Sequence, residues 1–285
     1  MTAGLDIIRS VAELRIRVKY WRDQGLRVAL VPTMGALHQG HLSLVSSALE
    51  HADRVVVSIF VNPTQFGPNE DFSRYPRQEA QDAELLYQAG CHLLYAPTVT
   101  EMYPDGFTTA ITVGGVSDGL CGEVRPGHFS GVATVVTKLL LQTLPDMAAF
   151  GEKDYQQLAV IRRFVRDLDI PVAVMGVPTL READGLAMSS RNAYMSAEER
   201  LVAPWLIRAL TGVADGLRAG ARASELCPKA VDGLLKAGFA SVDYMEVRDA
   251  ETLAPVETLI APARVLVAAR LGKTRLIDNI GISPL

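Results

Sequence analysis

Two histidines lie where an apolar strand gives way to a helix, and their spacing could direct both imidazoles to one ligand. The segment 27–49 contains His38-Gln39-Gly40-His41 after an apolar run and a Pro-Thr-Met-Gly sequence. Residues three positions apart share one face of a helix. At the first turn of a helix, unpaired backbone N–H groups and the helix dipole favour an anion. The pattern therefore indicates a phosphate-binding site that suits a nucleotide.

Two other interpretations of the histidine pair remain open. The two rings could cap the helix at a solvated surface, or they could bind zinc. A zinc site needs three or four ligands, and no CxxC or HExxH pattern accompanies the pair. Gly35 and Gly40 favour the nucleotide, because a residue without a side chain lets a ligand approach the backbone closely.

Two further polar segments follow predicted strands. Asn62 and Gln65 lie in FVNPTQF, and their amides could bind a polyhydroxy acid or satisfy the backbone of their own loop. Lys153 lies in FGEKDYQQL, just before a predicted helix, where the helix dipole disfavours a cation. A phosphate at this position would explain the lysine, whereas Asp154 and Gln157 could simply cap the helix.

Two loops complete the set of polar candidates. GLAMSSRN places Ser189, Ser190 and Arg191 together, which suits either a phosphate grip or a polar linker. The glycine-rich segment before and within RPGHFSGV provides Arg125 and His128 as polar candidates, to which the pattern assigns no catalytic role.

Composition and charge exclude several classes of protein. The chain has 285 residues and a net charge of −4, which argues against broad binding to nucleic acids or anionic membranes. Its three cysteines are widely separated, so we expect no disulfide framework and a cytoplasmic location. No apolar stretch approaches the length of a membrane span and the start lacks the pattern of a signal peptide, so no membrane partner is expected.

Alternating strand-like and helix-like segments predict an α/β fold: a Rossmann-like parallel sheet domain followed by a smaller C-terminal α+β domain. Strands are predicted at 27–31, 54–61, 92–96, 107–113, 146–150 and 172–177, and helices at 11–24, 41–49, 77–89, 130–144 and 154–168. The second domain is predicted from helices at 196–219, kinked at Pro204, and 224–237, and from strands at 241–248, 263–271 and 274–279. The predicted domains are residues 1–176 and 177–285, with the second as a lid. Ligands of such sheets bind at the carboxyl ends of the strands, where the polar segments lie.

Taken in order, these motifs resemble those of the pantoate–β-alanine ligase family, within the HIGH-motif nucleotidyltransferase superfamily. The matching segments are PTMGALHQGH, SIFVNPTQF, RYPR, RPGHFSGV, FGEKDYQQL, DGLAMSSRN and RLIDN. The resemblance implies that (R)-pantoate and ATP form a pantoyl adenylate with release of pyrophosphate, and that β-alanine then gives pantothenate and AMP. It also implies Mg²⁺ alongside ATP, and a homodimer.

The resemblance assigns roles to individual residues. It implies that His38 and His41 contact the ATP phosphates, with His41 as proton donor, and that Lys153 and Arg191 stabilise phosphate charge. The implied ATP site is lined by Met34, Gly35, Ala36, Leu37, His38, Gln39, Gly40, His41, Gly151, Glu152, Lys153, Asp154, Leu180, Met188, Ser189, Ser190 and Arg191. The implied pantoate site consists of Gln65, Gln157 and Asn62 with an apolar wall of Pro32, Met34, Val135 and Val136. Asp82 is the implied magnesium ligand.

Two alternatives to this function remain. Another adenylyl- or cytidylyltransferase of the same superfamily would share the histidine pair and Arg191, but it would not need both Gln65 and Gln157. A non-catalytic nucleotide-binding protein would share the fold, although the presence of both His41 and Lys153 argues against it.

Overall fold

The computed structural model describes residues 4–68, 70 and 72–284. They form two compact units. The first unit comprises the chain up to Val113 together with Arg125–Glu152 and Val160–Pro178, and the second comprises Gly114–Val124, Lys153–Ala159 and the chain from Thr179 onward. The second unit thus includes two early segments that a single boundary after residue 176 did not anticipate, and one of them contains Lys153 and Gln157.

The first unit is built on a parallel sheet of six strands in the order β1-β4-β3-β2-β5-β6. These strands are β1 (Ile7–Ile8), β2 (Val28–Thr33), β3 (Arg54–Ile59), β4 (Leu93–Tyr95), β5 (Met147–Gly151) and β6 (Ala173–Val177). The β-branched run of β3 is buried on both faces, since Val55, Val56 and Val57 are all fully inaccessible to solvent. Burial of both faces is what a continuous apolar run predicts for a parallel sheet.

Helices connect these strands. They are α1 (Val11–Asp23), α2 (Gln39–Leu49), α3 (Glu79–Gln88), α4 (Val99–Met102), α5 (Leu120–Val124), α6 (His128–Thr143) and α7 (Tyr155–Asp167), of which α5 and the first residues of α7 belong to the second unit. Short 3-10 turns lie at Pro63–Gln65 and Glu152–Asp154. Among the described helices, none combines the length and apolar character needed to cross a bilayer.

The predicted strand at 107–113 is wrong. This segment has no strand pairing and is instead held by side chains of α6, because the Thr134 hydroxyl accepts from the Ile111 N–H at 2.9 Å and the Ser130 hydroxyl donates to the Ile111 carbonyl at 3.0 Å. The two-residue strand β1 was not predicted, since two residues are too short to show a periodic pattern.

The second unit contains an antiparallel sheet in the order β7-β8-β9, formed by β7 (Ser241–Asp249), β8 (Ala263–Leu271) and β9 (Thr274–Ile282). Its helices are α8 (Ala197–Val202), α9 (Trp205–Arg218) and α10 (Ala223–Ala237), and a 3-10 turn lies at Ser190–Tyr194. Pro204 separates α8 from α9 instead of only kinking one helix, and α8 begins with a capping box formed by Ser196 and Glu199. The predicted fold class is therefore confirmed.

Candidate functional site

The histidine pair forms a reciprocal cap at the start of α2. His38 is the N-cap residue, and its Nδ1 accepts from the Gly40 N–H at 3.1 Å. In return, Nδ1 of His41 accepts from the His38 N–H at 3.3 Å, and the two ring centroids lie 4.1 Å apart. A ring nitrogen that accepts carries no proton, so each neutral imidazole carries its proton on Nε2. The cap and the ligand-binding interpretations are thus compatible.

This arrangement corrects one expectation from the sequence. The amides of His38 and Gly40 are engaged by the imidazoles, and the amide of His41 donates to the His38 carbonyl at 2.8 Å. These three N–H groups of the first turn therefore already have acceptors. The donors that the pair can offer an anion are side-chain N–H groups at Nε2.

Asp82 shapes the loop between β2 and α2. Its two carboxylate oxygens accept from the N–H groups of Ala36 and Leu37, each at 2.9 Å, and Asp82 itself is fully buried. The loop needs this support because Ala36 adopts a left-handed conformation with φ of 51°, directly after Gly35 at φ 82°. A carboxylate therefore substitutes for the missing acceptors of a strained turn.

These contacts do not fit Asp82 as a magnesium ligand, which corrects the predicted role. Magnesium needs carboxylate oxygens that face water and phosphate, whereas both oxygens of Asp82 face backbone N–H groups in the interior. Across the described ranges, no group of three or more His, Cys, Asp or Glu side chains is placed to hold a metal ion.

Asn62 fixes the side chain of Gln65. Asn62 is 1% exposed, and its Nδ2 donates to Gln65 Oε1 at 3.1 Å. Its Oδ1 accepts from the Tyr103 hydroxyl at 2.8 Å and from the Thr64 hydroxyl at 3.0 Å. The other end of the Gln65 amide, Nε2, lies 3.0 Å from Sδ of Met34. The amide of Asn62 thus serves its own loop, as one interpretation of the sequence held, and it orients Gln65.

Helix α6 packs against this turn through a glycine. A Cβ at Gly131 would lie 2.6 Å from the carbonyl carbon of Thr64 and 2.8 Å from the nitrogen of Gln65, so no larger residue fits without moving the turn. Val135 lies one helical turn after Gly131 and is buried, as is its neighbour Val136. The structure therefore brings Gln65, Met34 and α6 together.

Three side chains that the sequence left without a role clamp the backbone of Gln65. The guanidinium of Arg125 makes two hydrogen bonds of 2.6 Å to Glu70 and donates to Nε2 of His128 at 2.9 Å. Nδ1 of His128 then donates to the Gln65 carbonyl at 2.8 Å. Burial alone would raise the pKa of Glu70, but the hydrogen bonds and charge of Arg125 lower it overall. Arg125 and His128 were visible as polar candidates, but their partner Glu70 was not.

In the second unit, Lys153 lies in the 3-10 turn that precedes α7. Its Nζ is 3.8 Å from Asp154, and its carbonyl accepts from Nδ2 of Asn279 at 2.9 Å. Gln157 is half-buried on the first turn of α7. Its neighbour Gln156 is buried, and the Oε1 atom of Gln156 accepts from the Cys121 N–H at 2.9 Å.

The GLAMSSRN segment forms a small two-stranded turn that leads into the 3-10 helix at Ser190–Tyr194. The Leu180 carbonyl accepts from the Met188 N–H at 3.0 Å, and the Ser189 hydroxyl accepts from the Arg191 N–H at 3.3 Å. Ser189 is the N-cap of this short helix, and Ser190 and Arg191 are its first two residues.

Comparison with known proteins identifies the family of this chain. The model of the Pantoate-beta-alanine ligase family matches residues 6–281. Pantothenate synthetase of Paramagnetospirillum magneticum is 75% identical over 100% of both chains, and that of Rhodospirillum rubrum is 60% identical over 98% of this chain and 99% of the relative.

Solved structures agree with these sequence relatives. The crystal structure of pantothenate synthetase from Thermus thermophilus superposes with a TM-score of 0.90 at 49% identity and covers 98% of this chain and 100% of its own. The pantoate-beta-alanine ligase of Francisella tularensis, complexed with beta-gamma ATP and β-alanine, gives a TM-score of 0.82 at 33% identity and covers 97% of each chain.

Proposed function

This chain belongs to the pantoate–β-alanine ligase family and joins pantoate to β-alanine with ATP as a substrate, and we propose specific roles for its side chains in that reaction. A carboxylate and an amine do not condense readily in water, so the acid needs a better leaving group. A pantoate carboxylate oxygen attacks the α-phosphorus of ATP and pyrophosphate leaves. The amine of β-alanine then attacks the carbonyl carbon of the pantoyl adenylate, and AMP leaves.

The histidine cap is the observation that carries this proposal. Because Nδ1 of both rings accepts from backbone, Nε2–H is the donor that His38 and His41 present to phosphate oxygens. Phosphoryl and nucleotidyl transfer depend on donors that are already oriented where negative charge develops. The reciprocal cap supplies that orientation, and we assign to the neutral ring of His41 a hydrogen bond donated from Nε2–H to the departing pyrophosphate.

The pantoate end of the site is assigned to Gln65 and the apolar residues around it. Asn62 holds Oε1 of Gln65, so the amide has a defined direction before substrate binds. The apolar methyl groups of pantoate would contact Met34, Val135 and Pro32, while Val136 and Gln157 complete the proposed set. Pre-orientation of this kind lowers the entropy cost of binding.

Two cations that are assigned to the ATP phosphates lie in the second unit. Lys153 is assigned to the charge at the reacting phosphate, and Arg191, with Ser189 and Ser190, to the outer phosphates. The nucleotide is proposed to contact the loop 34–41, the segment 151–154, Leu180 and Met188, in the positions that the resemblance implies.

Three finer points belong to the same proposal. Magnesium is proposed to accompany ATP, where it would offset the charge of the triphosphate, and the contacts of Asp82 with the Ala36 and Leu37 N–H groups do not fit that residue as its ligand. The three cysteines are free thiols, which supports a cytoplasmic location. A homodimer is proposed from the family resemblance alone, and light scattering on the purified protein would measure it directly.

Pyrophosphate release in the absence of β-alanine tests the proposed route. With ATP and magnesium, we expect a burst that depends on pantoate and equals the enzyme concentration, followed by steady turnover once β-alanine is added. Release without pantoate, or none with it, contradicts the adenylate route and favours another nucleotidyltransferase, to be sought with other acids.

Variants test the assigned roles in the same assay. Lys153→Ala should slow the burst by roughly 10²-fold, because a preorganised electrostatic group is lost. Lys19→Ala is the matched control, since Lys19 pairs only with Asp23 among the contacts described for it and its side chain is 73% exposed. Full activity of Lys153→Ala would remove Lys153 from the reaction.

A further inference from the structure

One motif has no part in the proposed reaction, namely RLIDN on the last strand, β9. Its final two residues are polar yet buried, since Asp278 is 2% exposed and Asn279 is 3% exposed. Burying a carboxylate or an amide is costly unless its polar atoms are hydrogen-bonded. The partners of these two side chains therefore indicate what the motif holds in place.

Asn279 is bound to the segment that carries Lys153. Its Nδ2 donates to the Lys153 carbonyl at 2.9 Å. Its Oδ1 accepts from Nη1 of Arg264 at 2.8 Å, which prevents the amide from rotating to present oxygen to that carbonyl. Arg264 is itself fixed, because its guanidinium carbon lies 3.9 Å from the ring centre of Tyr155. The amide of Asn279 thus has one allowed orientation, with the donor directed at Lys153.

Asp278 binds the other predicted phosphate-binding segment. Its two oxygens accept from both terminal nitrogens of Arg181, at 2.7 and 3.0 Å. The same guanidinium donates to the Gly185 carbonyl at 3.0 Å and to the Asn279 carbonyl at 3.2 Å. Arg181 pairs with Ala187 across the turn that leads to Ser189–Arg191. Two adjacent residues of β9 therefore anchor both segments of the second unit to which phosphate contacts are assigned.

We propose that Asn279 is a positioning residue for Lys153, and that β9 sets the spacing between this lysine and the Ser189–Arg191 segment. The proposal rests on the role assigned to Lys153 above. A lysine has a flexible stem, so its ammonium can occupy a range of positions. The place where the backbone is held determines which positions lie within that range. An error of about 1 Å in the position of a catalytic group can lower the rate roughly 10²-fold.

Asn279→Asp is the decisive variant. The carboxylate keeps a partner in Arg264, so the strand should remain folded, but it places an acceptor oxygen against the Lys153 carbonyl. We expect the pantoate-dependent pyrophosphate burst to slow by roughly tenfold or more, while the KM for pantoate stays unchanged. Arg275→Lys is the matched control, because Arg275 is a partly buried, hydrogen-bonded residue of the same strand whose described partners are Asp243, Cys121 and Tyr244. It should lower the melting temperature without slowing the burst.

A double-mutant cycle separates positioning from a general loss of stability. Asn279→Ala should slow the burst in the wild-type background but cause no further slowing in Lys153→Ala, although it should lower the melting temperature equally in both. Additive effects on the burst would overturn the proposal, as would wild-type rates in Asn279→Asp. If Lys153→Ala is itself fully active, the role of Lys153 fails first, and the positioning role fails with it.

Discussion

Nδ1 of His41 accepts a hydrogen bond from the backbone N–H of His38 at 3.3 Å, in a cap where the two imidazoles serve the same helix end. The two nitrogens of the His41 ring therefore have separate duties. Nδ1 stabilises α2, and the proposed chemistry is assigned to Nε2–H.

The first prediction separates the roles of the two ring nitrogens of His41. In His41→Asn, the side-chain oxygen can replace Nδ1 as acceptor, but the donor at the position of Nε2 is lost. We expect the pantoate-dependent burst to slow by roughly 10²-fold. The free energy of unfolding should change by less than the roughly 0.5–2 kcal/mol that loss of a helix cap typically costs. His41→Ala should lose both the fast burst and the stability that the helix cap provides. Equal bursts for wild type and His41→Asn would show that the histidine only caps the helix.

The second prediction concerns the close packing of α6 on the turn that contains Gln65. Gly131→Ala must displace the backbone at Thr64 and Gln65, so the KM for pantoate should rise roughly tenfold or more while the KM for ATP changes little. Gly212→Ala is the control, because it is also a helix-interior glycine and a Cβ there meets no atom within 4 Å. It should be neutral or stabilise by about 1 kcal/mol, as the higher helix propensity of alanine predicts. An unchanged pantoate KM in Gly131→Ala would separate this turn from the pantoate site.

The third prediction tests the corrected role of Asp82. Asp82→Asn replaces one acceptor by a donor that faces a backbone N–H, so the protein should lose about 1–3 kcal/mol of stability in urea unfolding. Its activity should saturate at the same magnesium concentration as that of the wild type. Glu84→Gln, a change on the same helix, should alter neither quantity. A raised magnesium requirement in Asp82→Asn alone would restore the magnesium role.

The fourth prediction follows from the lowered pKa of Glu70, which the charge and hydrogen bonds of Arg125 maintain against the effect of burial. A carboxyl whose pKa is lower in the folded state contributes stability above its unfolded pKa, and that contribution disappears as the pH falls through the folded pKa. Wild type should therefore be more stable than Glu70→Gln at pH 7, and the difference should shrink below about pH 4.3, the ordinary pKa of glutamate. Urea midpoints measured over a pH series give this difference. If the difference in stability between wild type and Glu70→Gln persists at low pH, the ion pair of Glu70 with Arg125 is not the cause of that difference.

Much of the fold follows from local patterns in the chain. The apolar run of β3 indicates a strand buried on both faces, and the capping box at Ser196 indicates the start of a helix. Such features depend on neighbours a few residues apart, so composition and periodicity are enough to reveal them. The order of the motifs likewise indicates the family, which the family model and the relatives confirm.

Only the tertiary structure shows which residues hold the segments of the candidate site in place. Asp82 reaches Ala36 across 46 positions of sequence, Arg125 reaches Glu70 across 55, and Asn279 reaches Lys153 across 126. In a sequence, an aspartate whose buried carboxylate accepts hydrogen bonds from backbone amides cannot be distinguished from one that binds a metal. Only the atoms packed around the side chain distinguish the two. The sequence by itself determined which side chains are present to do chemistry, whereas the three-dimensional packing determined which of them contact one another and which hold the others in place.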